Sequence, residues 1–203
     1  MIKAVLFDFD GVLIRTEDRS GRQSWDQQLG LPNGSVERAV HHSDIWIQAQ
    51  LGRISYDAYW KGVAELLYTT PDNIPAIRAD YFSGDRLDFR LLDLIRELRE
   101  QGCQVALLCN ESLQFDARLQ MLEIADLFDH VLVSAKTGVM KPDSTAYRIA
   151  LHTLEVGPLE TVFIDDSYVN IRGAQPLGIH TILFRPELDL RTELQKLGCK
   201  SSE

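Results

Sequence analysis

Five short apolar runs constrain this chain more than anything else in it: Ile2 to Phe7, Gln104 to Cys109, His130 to Val133, Thr161 to Ile164 and His180 to Phe184. Short, β-branched runs with little polar alternation are what strands buried on both faces of a parallel sheet look like. The stretches between them follow the other period. Leu87, Leu91, Leu94, Ile95 and Leu98 fall on one helical stripe, and Gly102 follows as a C-terminal cap, which predicts a helix over Leu87 to Gln101. Weaker stripes cover Leu113 to Ile124, Asp143 to Leu154 and Ser167 to Leu177. Strand alternating with helix predicts an α/β fold, a doubly wound, Rossmann-like parallel sheet.

Arg15 to Asp85 breaks that alternation. It shows no strand pattern and reads as about four helices inserted after the first strand. Gly52-Arg-Ile-Ser55 reads as a helix stop followed by a start, with Ser55 capping Tyr56 to Trp60, and Pro71 and Pro75 mark another break. Trp25, Tyr59 and Trp60 are expected in the core of this unit. Two units are therefore predicted: a core of residues 1–14 and 86–203, and an α-helical insert of residues 15–85. Lys200 to Glu203 is the one segment expected to be disordered.

Charge and cysteine usage exclude several functions. With 21 Lys and Arg against 30 Asp and Glu, the net charge is -9, and its average field repels nucleic acid and anionic membranes. Cys103, Cys109 and Cys199 are odd in number and lack the close pairings of zinc ribbons or redox motifs, so a reducing, cytoplasmic setting is expected. Met1 to Phe7 is apolar only until Asp8 and Asp10 interrupt it, which fits neither a secretory signal nor a membrane span. Nothing in the sequence reports on oligomeric state.

In an open parallel sheet, ligands bind beyond the carboxyl ends of the strands. Those positions are acidic here: Asp8, Asp10 and Gly11 after the first run, Cys109 and Asn110 at the second, Asp165 and Asp166 after the fourth. Lys141 follows the third run, just ahead of a predicted helix. Taken singly, Asp165 and Asp166 pass for a helix N-terminal acid pair. Four carboxylates brought together instead require a cation, and an all-oxygen set without His or Cys suits Mg²⁺ rather than zinc. Such residues suffice for phosphoryl transfer, in which positioning and charge neutralisation do most of the work. Asp8 is placed to be a nucleophile. Asp10 is placed to be a general acid and base if its pKa is tuned upward, and Gly11 lets backbone approach phosphate closely.

Asp8-Phe-Asp-Gly-Val-Leu13 resembles the first motif of the haloacid dehalogenase (HAD) superfamily, in its phosphatase branch. Lys141-Pro-Asp143 resembles the third motif, and Phe163-Ile-Asp-Asp-Ser167 with Asn170 and Gly173-Ala174 the fourth. The resemblance spans nearly the whole chain, and residues 15–85 fall where that family carries a small helical cap. The cap and the Gly52-to-Ser55 turn look most like the branch of the soluble epoxide hydrolase phosphatase domain and bacterial sugar-phosphate phosphatases. The resemblance implies Asp8 as nucleophile, Asp10 as general acid and base, and Lys141 as the cation orienting Asp8 and phosphate. It implies Mg²⁺ held by Asp8, the Asp10 carbonyl and Asp166, with Asp165 acting through a water, and phosphate held by Gly11, Cys109, Asn110 and Lys141.

One position departs from the pattern. The second motif offers a hydroxyl before Asn, and here Cys109 stands there; a thiol is the weaker donor. Turnover is expected to fall by less than the roughly 10²-fold to 10³-fold that losing one preorganised donor costs. A thiolate favoured by Lys141 would also make Cys109 an oxidation target, against the plainer reading of a buried small residue. The expected activity is Mg²⁺-dependent hydrolysis of a small phosphomonoester, sugar phosphates included, through an aspartyl-phosphate. The alternatives are a phosphomutase, a haloacid dehalogenase (disfavoured by Asp10), and a non-catalytic phosphate-sensing protein. Arg15, Arg19, Arg22, Arg53, His41, His42 and Trp46 are residue types that grip a sugar, but helix surfaces carry such residues routinely and none is singled out.

Overall fold

The computed structural model of the chain describes residues 1–199, so the expectation for Lys200 to Glu203 lies outside the described residues. Five strands, β1 (Ala4–Phe7), β4 (Gln104–Cys109), β5 (His130–Val133), β6 (Thr161–Asp165) and β7 (His180–Leu183), form one sheet in the order β5-β4-β1-β6-β7. Every neighbouring pair is parallel. The chain winds outward from β1 through β4 to β5, then crosses back to β6 and β7, so β1 lies at the centre where the winding reverses.

Side chains alternate between the two faces of a strand, and each face here finds its own helices. Val5, Phe7, Val105, Leu107, Val162 and Ile164 share a buried cluster with α6 (Phe89–Glu100), α7 (Phe115–Met121) and α11 (Leu190–Lys196). Ala4, Leu6, Ala106, Leu108 and Phe163 share another with α9 (Ser144–Leu154) and α10 (Tyr168–Ala174). Both faces are covered, which is why the strands read as unbroken apolar runs. Helix starts are fixed locally: the Asp88 carboxylate accepts from the Arg90 and Leu91 amides, and Asp143 accepts from the Thr145 amide.

Residues 15–85 hold five helices rather than about four: α1 (Ser20–Gln28), α2 (Ser35–His41), α3 (Asp44–Gln50), α4 (Tyr56–Leu66) and α5 (Ile74–Phe82). They pack on a cluster of their own that includes Trp25, Tyr59, Trp60, Val63, Ile77 and Tyr81. Gly52 has φ +67 and the Ser55 hydroxyl accepts from the Ala58 amide at 3.2 Å, the stop and start expected there. Two strands at its ends escaped the sequence reading: β2 (Ile14–Thr16) pairs antiparallel with β3 (Asp85–Leu87). Their three-residue segments, Ile-Arg-Thr and Asp-Arg-Leu, are too short and too charged to show a period. They exist because the pairing closes the insert at its base. The seven-residue α11 was also unread, and Leu87 belongs to β3 rather than to the helix that follows. No helix among the described residues is long and apolar enough to cross a membrane.

Candidate active site

Asp8 follows β1 directly, Asp165 closes β6, and Lys141 sits in the loop ahead of α9 after the short helix α8 (Ser134–Thr137). These three meet. The Lys141 ammonium, 3% exposed, lies 2.8 Å from Asp8 Oδ1 and 2.7 Å from Asp165 Oδ2. Asp8 Oδ1 also accepts from the Phe9 amide at 2.8 Å, so one oxygen of that carboxylate is held twice. Asp165 accepts further from the Ser167 amide at 2.7 Å and from Asn170 Nδ2 at 3.0 Å, which fixes it behind Lys141. Asp166, the next residue, is exposed. Carboxylate oxygens of Asp8, Asp165 and Asp166 all lie within 4.8 Å of one another.

That donor set fits a divalent cation. Lys141 pairs with two of the three carboxylates and leaves the group with excess negative charge, and all the donors are hard oxygens. Gly11 completes the cradle: its φ is +82, and a Cβ there would meet Asp166 Oδ2 at 2.2 Å. Burial pushes the Asp8 carboxyl up to about 8, against the pull of Lys141 and with Asp165 adding to the rise. Burial works against the Lys141 ammonium, but Asp8 and Asp165 outweigh it and hold the group charged well above its ordinary range.

Asn110 and Cys109 lie at the end of β4, beside Lys141. Asn110 Oδ1 accepts from the Lys141 amide and Nδ2 donates to the Lys141 carbonyl, both at 2.8 Å, so this side chain clamps the lysine loop. Its own carbonyl accepts from Gln50 Nε2 of α3 at 2.7 Å, a direct tie from the inserted helices. Cys109 is 2% exposed, and burial, with Asp8 adding, raises its thiol well above the ordinary value despite Lys141. A neutral buried thiol overturns the oxidation-target reading and leaves the packing one.

Asp10 has neighbours that the sequence did not announce. The Arg118 guanidinium, one turn into α7, lies 3.2 Å from Asp10 Oδ1, 3.1 Å from Glu111 Oε1 and 3.5 Å from Asp85 Oδ2. It also stacks over the rings of Phe9 and Phe82 at 5.1 and 5.3 Å. Burial works to raise the Asp10 carboxyl, but Arg118, a hydrogen bond with Glu111 and the nearby His41 hold it below the usual range. Glu111 moves the other way, pushed well up by burial and by Asp10. Neither Glu111 nor Arg118 belongs to a sequence motif; tertiary packing brings them to Asp10.

A family model for haloacid dehalogenase-like hydrolases matches residues 2–178. The chain belongs to that family. This hydrolase is 29% identical over 199 residues to a sesquiterpene phosphatase of Aspergillus oryzae, covering 97% of each chain. It is 26% identical over 214 residues to the bifunctional epoxide hydrolase 2 of Sus scrofa, covering 97% of this chain and 39% of that larger protein. Among solved structures it is similar to a HAD family enzyme from Bacteroides thetaiotaomicron in complex with magnesium and inorganic phosphate. That match has 27% identity and TM-score 0.79, and covers 95% of this chain and 99% of that one.

Most basic residues of the hydrolase's insert are spent on structure. Arg22 is 6% exposed, stacks at 3.9 Å on Tyr81 and bonds Thr16, Glu37 and Asp85; Arg15 pairs with Asp88 at 2.7 Å and Arg19 with Glu37 at 3.0 Å. His41 is different. Its Nδ1 meets the Tyr81 hydroxyl at 3.0 Å, and burial pushes the imidazole down to about 4 despite the opposing pull of Asp10, so it is neutral at pH 7.

Proposed function

We propose that this hydrolase cleaves small phosphomonoesters through an aspartyl-phosphate on Asp8. It is an enzyme of the phosphatase kind and its metal is Mg²⁺. The observation that carries the mechanism is the meeting of Asp8, Asp165 and Asp166 with Lys141 at the strand ends, with Asp10 two residues from the nucleophile.

With Asp8 Oδ1 held by Lys141 and the Phe9 amide, Oδ2 is the oxygen left to attack phosphorus. The bond from phosphorus to the ester oxygen breaks, and the departing alkoxide takes the proton carried by the Asp10–Glu111 pair. Water then attacks the phosphoryl group, gives a proton back to that pair, and releases inorganic phosphate and free Asp8. Lys141 stays charged throughout and balances the charge on Asp8 and phosphate. Asp8, the Asp10 carbonyl and Asp166 would hold Mg²⁺, with Asp165 behind them, and the ion supplies neutralisation of the phosphoryl oxygens.

The inserted helices act as a cap over the strand ends and keep bulk water from the phosphoenzyme. Support comes from their separate apolar cluster, the β2–β3 closure at their base and the Gln50–Asn110 bond. The three cysteines are free thiols, which supports a cytoplasmic setting. The substrate class spans sugar phosphates and phosphate esters of apolar alcohols. The test is release of phosphate from p-nitrophenyl phosphate with Mg²⁺ and with chelator, for the native chain and Asp8→Asn. Activity is expected to need the metal and to fall at least a thousandfold in the variant, roughly the loss seen when a nucleophile is removed. Undiminished turnover by Asp8→Asn would overturn the mechanism.

A further inference from the structure

A cavity of about 670 Å³ opens between the inserted helices and α7. Trp46, Tyr59, Trp60 and Phe82 contribute to one wall, and Phe115 and Met121 to the facing one. Arg118 and Glu111 also line it, and Arg118 reaches Asp10 at 3.2 Å, so the cavity borders the residue assigned as general acid and base. The cavity therefore lies on the leaving-group side of the nucleophile.

Its charged groups are already engaged. Arg118 is shared by Asp10, Glu111 and Asp85, Arg78 bonds the Tyr56 hydroxyl at 3.3 Å, and His41 is neutral. A second phosphate needs free cations, and the lining cations are paired; Ser83, Ser112 and Gln114 are the neutral polar groups of a lining that is otherwise largely aromatic and thioether carbon. Its size lies within the range of pockets that enclose most of a small ligand, and Met121, 86% exposed at the edge of α7, is a side chain that adapts to irregular apolar shapes.

We propose that this cavity receives the carbon chain of the leaving alcohol, so that the preferred substrate is the phosphate monoester of an apolar alcohol of about ten to fifteen carbons rather than a sugar phosphate. The inference rests on the phosphatase reading. The chemistry is unchanged: the ester P–O bond breaks, the alcohol leaves with one proton from the Asp10–Glu111 pair, and water consumes the aspartyl-phosphate. Binding of the chain is what selects the ester.

The experiment measures kcat/KM of the Mg²⁺-loaded protein on n-alkyl phosphates from ethyl to dodecyl, below their micelle concentrations, beside hexose phosphates and p-nitrophenyl phosphate. Each added methylene is expected to raise kcat/KM about threefold until the cavity fills, mainly through KM, giving at least a hundredfold overall. Hexose phosphates are expected to do no better than ethyl phosphate. Ala117 and Ala79 line the cavity from opposite sides with exposed side chains, so Ala117→Trp and Ala79→Trp can fill it without disturbing either core. Both are expected to cut the dodecyl-to-ethyl ratio at least tenfold. Calorimetry adds a readout independent of turnover: decylphosphonate is expected to bind at least a hundredfold more tightly than methylphosphonate. A flat chain-length profile, or preference for hexose phosphates while p-nitrophenyl phosphate is still cleaved, overturns the inference and leaves the phosphatase reading standing. Failure on every ester, p-nitrophenyl phosphate included, removes both.

Discussion

Replacing Lys141 by Met tests whether the lysine is a structural keystone as well as a catalytic cation. Its ammonium is the only cationic group within 3 Å of both Asp8 Oδ1 (2.8 Å) and Asp165 Oδ2 (2.7 Å) among the described residues, and the lysine is 3% exposed. Methionine keeps roughly the side-chain volume, so what is lost is the charge, including the ammonium's place 5.3 Å above the Phe163 ring. Breaking a buried ion pair typically costs 3–5 kcal/mol, roughly, because a charge is left without its partner. Here two carboxylates are orphaned side by side, which places the expected loss near 4–5 kcal/mol. For a chain of this length that lowers Tm by about 10–15 °C. The assay is thermal unfolding in chelator, so that no divalent cation substitutes for the lost charge. Protonating Asp8 relieves the repulsion, and its carboxyl, already pushed up to about 8, rises further without Lys141, so the deficit should shrink as pH falls from about 9 to 7. The double variant Lys141→Met with Asp165→Asn should recover at least about 1.5 kcal/mol, since the two positions are coupled. As a control, Lys136→Met removes a pair of 2.5 Å in which the lysine side chain is 43% and Asp116 53% exposed, and should move Tm by about a degree or less. A loss below about 1 kcal/mol for Lys141→Met, or a double variant no more stable than the single one, would refute the buried-pair reasoning.

Gly11→Ala should leave the fold intact at a cost of about 1–2 kcal/mol for the left-handed backbone, while its Cβ pushes Asp166 Oδ2 from a 2.2 Å approach. Mg²⁺ affinity is then expected to drop about tenfold or more, and titration calorimetry showing native affinity would sink the assigned cradle. His41 carries a pH signature. Its folded pKa of about 4 lies below the 6.5 of a free imidazole, so its contribution is complete above pH 6.5 and is lost as pH falls through 4. Chemical denaturation should show His41→Gln losing up to about 3 kcal/mol of the native pH dependence across that window; identical slopes for the two proteins would contradict the neutral, half-buried imidazole.

The sheet was legible because β1, β4 and β6 are covered on both faces, and such burial writes itself into sequence as unbroken apolar runs. The acids that matter for chemistry were legible for a related reason: the carboxyl ends of those strands are fixed points, so Asp8, Asp165 and Asp166 must converge once the strands are placed. What lies between strands obeyed no such rule. β2 and β3 derive their strand character from each other across the whole insert, which no local period can report. The same limit hid the Arg118 guanidinium beside Asp10, which comes from another element.

The cavity marks the deeper boundary. Tyr59 and Trp60 read as cap core, and they are core, at 2% and 5% exposure; yet both also line the cavity. A helix turns its apolar stripe inward whether it meets a neighbouring helix or an apolar ligand, because either removes carbon from water. Pattern alone therefore cannot separate a packed wall from a binding wall. What separates them is α7, which faces those helices across open space rather than against them, and which carries Arg118 to Asp10. Chemistry in this fold is set by strand ends and so can be read residue by residue. Selectivity is set by the distance between two helical surfaces, a quantity that exists only once both units are folded.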